Sequence, residues 1–207
     1  SSSKKLFLLG PSRSGKPTLE NLLTGGPNVY PMFENINLKG TGKSELSIEE
    51  TNKPSMLDLF YHDENSLLKL GYNVVTSTKP DTMFQIDRLI DLLSNPFCIF
   101  VKRNRTDIAS EIFAKEYSRG NFYSYDHSSI LKYLDTCEAI WEILRQKVPH
   151  LTLEISFEDI LSEPLETIKK ISQMTGVSLE VSNPLNRSIT NLSSPLSEHY
   201  ASYFMAS

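Results

Sequence analysis

Residues 5–17 have the sequence Lys5-Leu6-Phe7-Leu8-Leu9-Gly10-Pro11-Ser12-Arg13-Ser14-Gly15-Lys16-Pro17, and this stretch decides the fold. Its first five residues form a short apolar run, which is typical of a buried parallel strand. A turn that contains two glycines follows, and Pro17 fits the first turn of a helix. A strand, such a turn and a helix in this order are the context that a phosphate-binding loop requires.

The loop of residues 10–16 suits an anion but not a metal ion. Its successive backbone N–H groups and the helix N-terminus can surround a phosphate, and Arg13 and Lys16 add positive charge. Nucleoside triphosphatases and kinases carry Ser or Thr after the lysine to hold Mg²⁺, whereas this chain has Pro17. Thr18 comes one residue late, which turns it by about 100° around the helix. The loop therefore favours metal-free phosphate binding over a coincidental match or ATP hydrolysis.

Strand-like and helix-like segments alternate along the chain. Strands are expected at residues 5–9, 72–77, 97–102 and 151–155, and helices at 17–23, 57–70, 82–93, 105–117, 128–148 and 164–174. This alternation predicts an α/β P-loop fold of three layers, in which a parallel sheet has helices on both faces. Ligands of such folds bind at the carboxyl ends of the strands. The length predicts one domain over 1–207, with the irregular segments 33–55 and 177–207 shaping the acceptor side.

Charge and composition narrow the class of partner. The net charge of −4 argues against nucleic acid as the main ligand, because binding a phosphate backbone needs a basic face. No apolar run is long enough to predict a membrane span, and no signal-peptide core follows the first residues. Cys98 and Cys137 lie on apolar stretches and are expected to be buried free thiols. The four histidines lack the spacing of a metal site, and a cytoplasmic location is expected.

The segment 12–17, followed by Leu19-Glu20-Asn21-Leu22-Leu23, resembles the 5′-phosphosulfate loop of the sulfotransferase superfamily, particularly its bacterial and tyrosylprotein-type branch. That loop typically reads Pro-Arg-Ser-Gly-Thr-Thr, and this chain departs from it at Ser12 and at Lys16-Pro17. The resemblance implies the donor 3′-phosphoadenosine 5′-phosphosulfate, which leaves as adenosine 3′,5′-bisphosphate, and no metal. It implies donor contacts from the following residues: Ser12, Arg13, Ser14, Gly15, Lys16, Pro17 and Thr18.

Residues 100–111 resemble a second family motif, in which a strand ends in Arg-Asp-Pro or Arg-Asn-Pro. A serine eight residues after that arginine helps to bind the 3′-phosphate of the donor. Arg103 matches the arginine, but the eighth position is Glu111, an anion where a phosphate is expected. The resemblance thus implies that Arg103 binds the 3′-phosphate together with Ser110, one residue early, or Lys115, one turn later. From the residues alone, Glu111 and Lys115 form an i,i+4 surface pair.

Two more blocks extend the resemblance to about residues 5–175, in the order of the family. Residues 120–126 are similar to a Gly-Asn-x-Tyr-Ser-Tyr-Asp block, and residues 156–160 are similar to a Tyr-Glu-Asp segment that follows a strand. On physical grounds Asp126 is expected to cap the long helix that follows it, and Phe157 is expected to lie in the core.

Sulfuryl transfer needs in-line geometry, cations near the leaving phosphate oxygens and a base for the acceptor. The resemblance to the tyrosylprotein branch implies that Glu34 is this base. Lys79 resembles the lysine of the family's Lys-x-Pro segment, which stabilises charge on the bridging oxygen, and Arg13 assists it. Lys79 also follows a predicted inner strand, which places it at the ligand edge. A solvated loop carboxylate and a surface lysine are the competing interpretations.

The expected activity is therefore a metal-independent sulfotransferase that acts on a hydroxyl of a small molecule, a glycan or a peptide. Two alternatives stay open. A P-loop kinase or NTPase would need Mg²⁺ and a hydroxyl next to Lys16, which Pro17 does not provide. A degenerate module that binds nucleotide without turnover is favoured by Glu111 in the 3′-phosphate motif.

Overall fold

The structure is a computed structural model, and it describes residues 2–32, 64–115 and 122–181. Within these residues five strands form one parallel sheet in the order β2-β3-β1-β4-β5. The strands are β1 (Lys4–Leu9), β2 (Val29–Pro31), β3 (Val74–Ser77), β4 (Pro96–Lys102) and β5 (Thr152–Ser156). Because β1 is central and pairs with β3 and β4, the loop after β1 lies at the middle of the carboxyl edge.

The helices cover both faces of the sheet, as the sequence predicts for a three-layer α/β fold. In chain order they are α1 (Lys16–Leu23), α2 (Glu64–Lys69), α3 (Ile86–Leu92), α4 (Arg105–Ala114), α5 (His127–Lys147), α6 (Phe157–Ser162) and α7 (Pro164–Thr175). Short 3₁₀ turns at Pro80–Gln85, Phe122–Tyr125 and Pro149–Leu151 complete the described parts. The long α5 begins as expected, because the side chain of Asp126 accepts a hydrogen bond from the Ser129 N–H.

Each face of the sheet has its own apolar cluster. Alternate residues of β1 and β4 point to opposite faces, so that every central strand is apolar on both sides. One cluster joins the sheet to α3 and α5 through Phe7, Leu9, Cys98, Phe100, Leu89, Trp141 and Leu144. The other joins it to α1 and α7 through Leu6, Leu8, Ile99, Val101, Leu19, Leu23, Ile168 and Ile171. These two clusters fix α1 and α5 on opposite faces of the sheet.

The expected strands and helices are present where the structure describes them, although several of their ends differ and two elements, β2 and α6, were not predicted. The strand at Val29–Pro31 was not predicted, because three residues that end in proline give no periodic signal. The helix expected at 82–93 begins as a 3₁₀ turn at Pro80 and becomes α-helical only at Ile86. Residues 72 and 73 do not join β3, and α4 ends at Ala114. The helix expected at 57–70 is described only from residue 64.

Both cysteines are buried free thiols, as their apolar surroundings predict. Burial raises the pKa of Cys98 to about 12 and that of Cys137 to about 11. Along the part of the chain that the structure describes, no helix has the length and apolar character needed to cross a bilayer.

Candidate functional site

The loop of residues 10–16 connects the end of β1 to α1 and needs glycine at both of its ends. Gly10 has a φ of 131° and Gly15 a φ of 101°, conformations that other residues rarely adopt. A Cβ atom on Gly10 would lie 2.9 Å from the carbonyl oxygen of Val101, and one on Gly15 would lie 2.2 Å from Cδ2 of Phe157. The loop therefore packs closely against β4 and α6, and this packing leaves space for hydrogen only.

Lys16 is buried and turns back over its own loop. Its Nζ donates hydrogen bonds to the carbonyl oxygens of Gly10, at 2.8 Å, and Pro11, at 2.6 Å. The ammonium charge therefore lies inside the loop, next to the N-terminus of α1. This arrangement favours an anion at the loop.

Arg103 follows β4 and contacts the loop from the neighbouring strand. Its Nη1 donates to the carbonyl oxygen of Arg13 at 2.9 Å, and its Nη2 donates to Oε1 of Glu111 at 2.8 Å. The guanidinium lies over the ring of Phe157, with Cζ 4.6 Å from the ring centroid. Phe157, expected in the core, is only partly buried there and instead supports both Arg103 and Gly15. The structure thus brings Arg13, Lys16 and Arg103 together at one edge.

Three buried polar atoms at this edge have no hydrogen-bond partner among the described residues: Nε of Arg13, Nε of Arg103 and Oγ of Ser14. An unmatched buried donor costs about 1–3 kcal/mol, so that such atoms are rare in folded proteins. All three atoms belong to residues of the loop or to Arg103, which contacts it, and a ligand with acceptor oxygens at this edge would give the two Nε donors partners. A phosphate or phosphosulfate group fits that description.

The surroundings of Glu111 differ from the expected surface pair. Glu111 forms an ion pair with Arg103 instead of Lys115, because Phe157 holds the Arg103 guanidinium within its reach. Ser110 is fully buried, and its Oγ donates to the carbonyl oxygen of Thr106 at 2.7 Å inside α4. Lys115 is exposed at the end of α4. The roles of Ser110 and Lys115 in binding a 3′-phosphate therefore stay predictions, and neither side chain joins the cluster of Arg13, Lys16 and Arg103.

Lys79 lies at the same carboxyl edge, on the other side of β1. It follows β3, whose last residue Ser77 pairs with Phe7 of β1, and its side chain is buried. Next to it, Oγ1 of Thr78 donates to the fully buried carboxylate of Glu20 at 3.4 Å, and Thr76 donates to the same carboxylate. Lys79 is thus placed where the sequence predicts it. The proposed base Glu34 lies outside the described residues.

The remaining predicted loop residues have different surroundings. Ser14 is fully buried, and Pro17 is exposed in the first turn of α1. The N–H of Thr18 donates to the carbonyl oxygen of Gly15 at 3.0 Å, within the first turn of α1, and its contact with a donor stays a prediction. The described residues contain no group of three or more His, Cys, Asp and Glu side chains able to hold a metal ion.

The sequence did not predict the contacts that three residues make at this edge: Glu20 with Thr78, Tyr133 with Ser12, and Phe157 with Arg103. The N–H of Ser12 donates to Oη of Tyr133 at 2.8 Å, across 121 residues of sequence. Burial raises the pKa of Tyr133, so that its hydroxyl stays neutral. The sequence could have pointed to Glu20, because it lies one turn after Lys16 on the apolar face of α1. A carboxylate is rarely buried unless it has a polar or charged partner.

Solved structures with the same fold are mostly sulfotransferases. The sulfotransferase domain of the Synechococcus olefin synthase has a TM-score of 0.62 at 16% identity, covering 94% of this chain and 82% of that one. A sulfotransferase of Alicyclobacillus acidocaldarius has a TM-score of 0.56 at 13% identity, covering 100% and 93%. A mouse sulfotransferase complexed with PAP has a TM-score of 0.50 at 16% identity, covering 87% and 60%.

No protein-family model matches the sequence, and no curated protein matches it significantly. At these identities the structural likeness concerns the fold. The chain has an α/β P-loop fold, and it shares this fold with P-loop sulfotransferases.

Proposed function

We propose that this protein is a metal-independent sulfotransferase, which moves a sulfuryl group from 3′-phosphoadenosine 5′-phosphosulfate to a hydroxyl acceptor. One observation carries the proposal. The loop after β1 gathers Arg13, Lys16 and Arg103 around an anion-binding edge, while Pro17 occupies the position where a kinase needs its Mg²⁺-binding hydroxyl. Three guanidinium or ammonium groups can then supply the charge that a metal supplies in nucleoside triphosphatases.

Each residue of the site has a role in this proposal. Arg13, Lys16 and the amides of Ser14 and Gly15 hold the 5′-phosphosulfate, while Ser12, Pro17 and Thr18 shape the loop around it. Arg103 holds the 3′-phosphate, with Ser110 or Lys115 as the second ligand. The donor supplies the activated sulfuryl group when it is bound. The mouse sulfotransferase is complexed with PAP, which is adenosine 3′,5′-bisphosphate, the product that this donor leaves, and this supports the choice of donor.

The acceptor side lies toward Lys79. Lys79 and Arg13 stabilise the charge that develops on the leaving oxygen, and Glu34 removes the proton from the acceptor hydroxyl. The acceptor belongs to a small molecule, a glycan or a peptide, and the protein works in the cytoplasm. The segments 33–55 and 177–207 contribute to the acceptor pocket of the single domain.

A module that keeps nucleotide without turnover is the second candidate, and the Glu111–Arg103 ion pair favours it. At 2.8 Å, the Glu111 carboxylate takes up one edge of the cation that is proposed to bind the 3′-phosphate. An enzyme would have to displace that carboxylate in each cycle.

Calorimetric titration with adenosine 3′,5′-bisphosphate tests the proposal, with ATP plus Mg²⁺ in a parallel titration. We expect the bisphosphate to bind equally well with and without EDTA, because Pro17 provides no metal ligand. Tight binding of Mg-ATP without binding of the bisphosphate would contradict the sulfotransferase proposal and favour a kinase. Turnover is then measured as release of the bisphosphate from the phosphosulfate donor, and binding without release would favour the module.

Removing the charge of Glu111 is expected to strengthen nucleotide binding. Glu111→Gln and Glu111→Ser should each bind adenosine 3′,5′-bisphosphate about tenfold more tightly, about 1.4 kcal/mol, because the internal anion no longer competes for Arg103. The matched control is Glu138→Gln, since Glu138 pairs with the exposed Arg105 on the neighbouring helix. Weaker binding in both Glu111 variants would show that Glu111 positions Arg103 instead of competing with the ligand.

A further inference from the structure

The backbone of Arg13 is in the left-handed region, with a φ of 69°. Residues other than glycine adopt this region at an energetic cost, and they persist there only where their surroundings hold them. Arg13 lies in the middle of the phosphate loop, so that its conformation sets the directions of the amides on either side. Contacts that keep Arg13 in this conformation therefore also determine the conformation of the loop of residues 10–16.

Two side chains hold this peptide segment from opposite ends. After Arg13, its carbonyl oxygen accepts a hydrogen bond from Nη1 of Arg103 at 2.9 Å. Before Arg13, the N–H of Ser12 donates to Oη of Tyr133 at 2.8 Å. Arg103 comes from the end of β4 and Tyr133 from α5, so that two separate elements fix one strained residue.

Tyr133 is itself held in place. Its ring stacks on that of Tyr123, with centroids 3.9 Å apart and planes at 8°, and Tyr123 belongs to the 3₁₀ turn before α5. Because burial raises the pKa of Tyr133, the hydroxyl remains a neutral acceptor for the Ser12 N–H throughout the working pH range. The contact also requires a residue other than proline at position 12, because its donor is the backbone N–H. A proline there would have no N–H, and its Cδ would point at the Tyr133 hydroxyl.

We propose that Tyr133 is a positioning residue of the phosphate loop, which keeps Arg13 in its left-handed conformation and thereby the loop in its anion-binding shape. The inference rests on the proposed function only in requiring that residues 10–16 bind a phosphate group. It assigns Tyr133 no contact with the ligand. The hydroxyl acts through the Ser12 amide, and the ring of Tyr123 acts through Tyr133.

The test is Tyr133→Phe, which removes the hydroxyl and keeps the ring that stacks on Tyr123. We expect binding of adenosine 3′,5′-bisphosphate and of inorganic pyrophosphate to weaken about tenfold, as an unsatisfied loop amide lets the loop relax. Hydrogen exchange at the Ser12 amide should become faster in the free protein. Tyr125→Phe is the matched control, because it removes the hydroxyl of an exposed tyrosine in the 3₁₀ turn that contains Tyr123. This variant should bind both ligands as the unaltered protein does.

A double-mutant cycle with Arg13→Gly separates positioning from a general loss of stability. Glycine adopts a positive φ without strain, so that in an Arg13→Gly background Tyr133→Phe should change pyrophosphate affinity less than twofold. An equal loss in both backgrounds would overturn the proposal, and so would unchanged or tighter binding in Tyr133→Phe alone. If the unaltered protein binds pyrophosphate but not the bisphosphate, the proposed function fails while this test still decides the role of Tyr133. If the unaltered protein binds neither pyrophosphate nor the bisphosphate, both the proposed function and the proposed role of Tyr133 are wrong.

Discussion

Arg103→Ala is expected to weaken binding of adenosine 3′,5′-bisphosphate about 100-fold, which corresponds to about 2.8 kcal/mol. The substitution removes a proposed ligand of the 3′-phosphate, and it also removes the hydrogen bond to the Arg13 carbonyl. In addition it leaves the Glu111 carboxylate, whose side chain is only 22% exposed, beside the loop without its cation. An uncompensated anion at that point repels the ligand directly.

Arg105→Ala is a closely matched control for this measurement. Arg105 is two residues further along, is 41% exposed and pairs with Asp135 and Glu138 at the surface of α5. Exposed ion pairs contribute at most about 1 kcal/mol, so that we expect nearly unchanged nucleotide affinity. Arg103→Lys keeps the charge but not the fork that contacts Arg13 and Glu111 together, and it should restore only part of the affinity. Calorimetry that found Arg103→Ala equal to Arg105→Ala would remove Arg103 from the site.

Gly15→Ala is expected to abolish measurable nucleotide binding and to lower the free energy of unfolding by about 3 kcal/mol. Its Cβ would lie 2.2 Å from Cδ2 of Phe157, which overpacks the contact, and its φ of 101° is strained for alanine. Phe157 cannot move away freely, because its ring also carries the Arg103 guanidinium. Chemical denaturation and calorimetry measure the two effects.

Gly71→Ala separates the steric part of this effect from the backbone part. Gly71 also has a positive φ, of 90°, but a Cβ there would meet no atom within 4 Å. Gly71→Ala should therefore lower the free energy of unfolding only by the backbone strain, about 1 kcal/mol, and leave the nucleotide affinity unchanged. If Gly15→Ala proved no worse than Gly71→Ala, the close contact between the loop and Phe157 would not be part of the folded protein.

The layer architecture and the position of the loop could be predicted from the sequence because both depend on local pattern. The apolar runs of β1 and β4 are buried on both faces, which makes them visible as continuous hydrophobic segments. Arg13, Lys16, Arg103 and Lys79 each follow a strand or open a helix, and parallel strands bring their carboxyl ends to one edge. Residues at these positions are brought together by the topology of the sheet alone.

The contacts within the site could not be predicted, because they depend on tertiary distance. Nothing in the pattern of α4 distinguishes a surface pair of Glu111 with Lys115 from the observed pair with Arg103. Ser110 shows the same difficulty, since a serine in a helix can turn its hydroxyl outward or donate it to the preceding turn, as it does to Thr106. Phe157 is apolar and suits a core, yet its ring supports the loop. Side-chain direction decided each case.

The distances along the chain between the loop and the residues that hold it have a consequence for folding. Arg103 contacts Arg13 across 90 residues, and Tyr133 contacts Ser12 across 121. Closing such separations is entropically costly, and parallel strand pairs form slowly because they are non-local. An intermediate that has formed only β1 and α1 would contain the whole loop sequence yet lack the conformation that we propose binds an anion. Nucleotide affinity should therefore appear late in refolding, after α5 and α6 have docked, and its time course would follow completion of the native state.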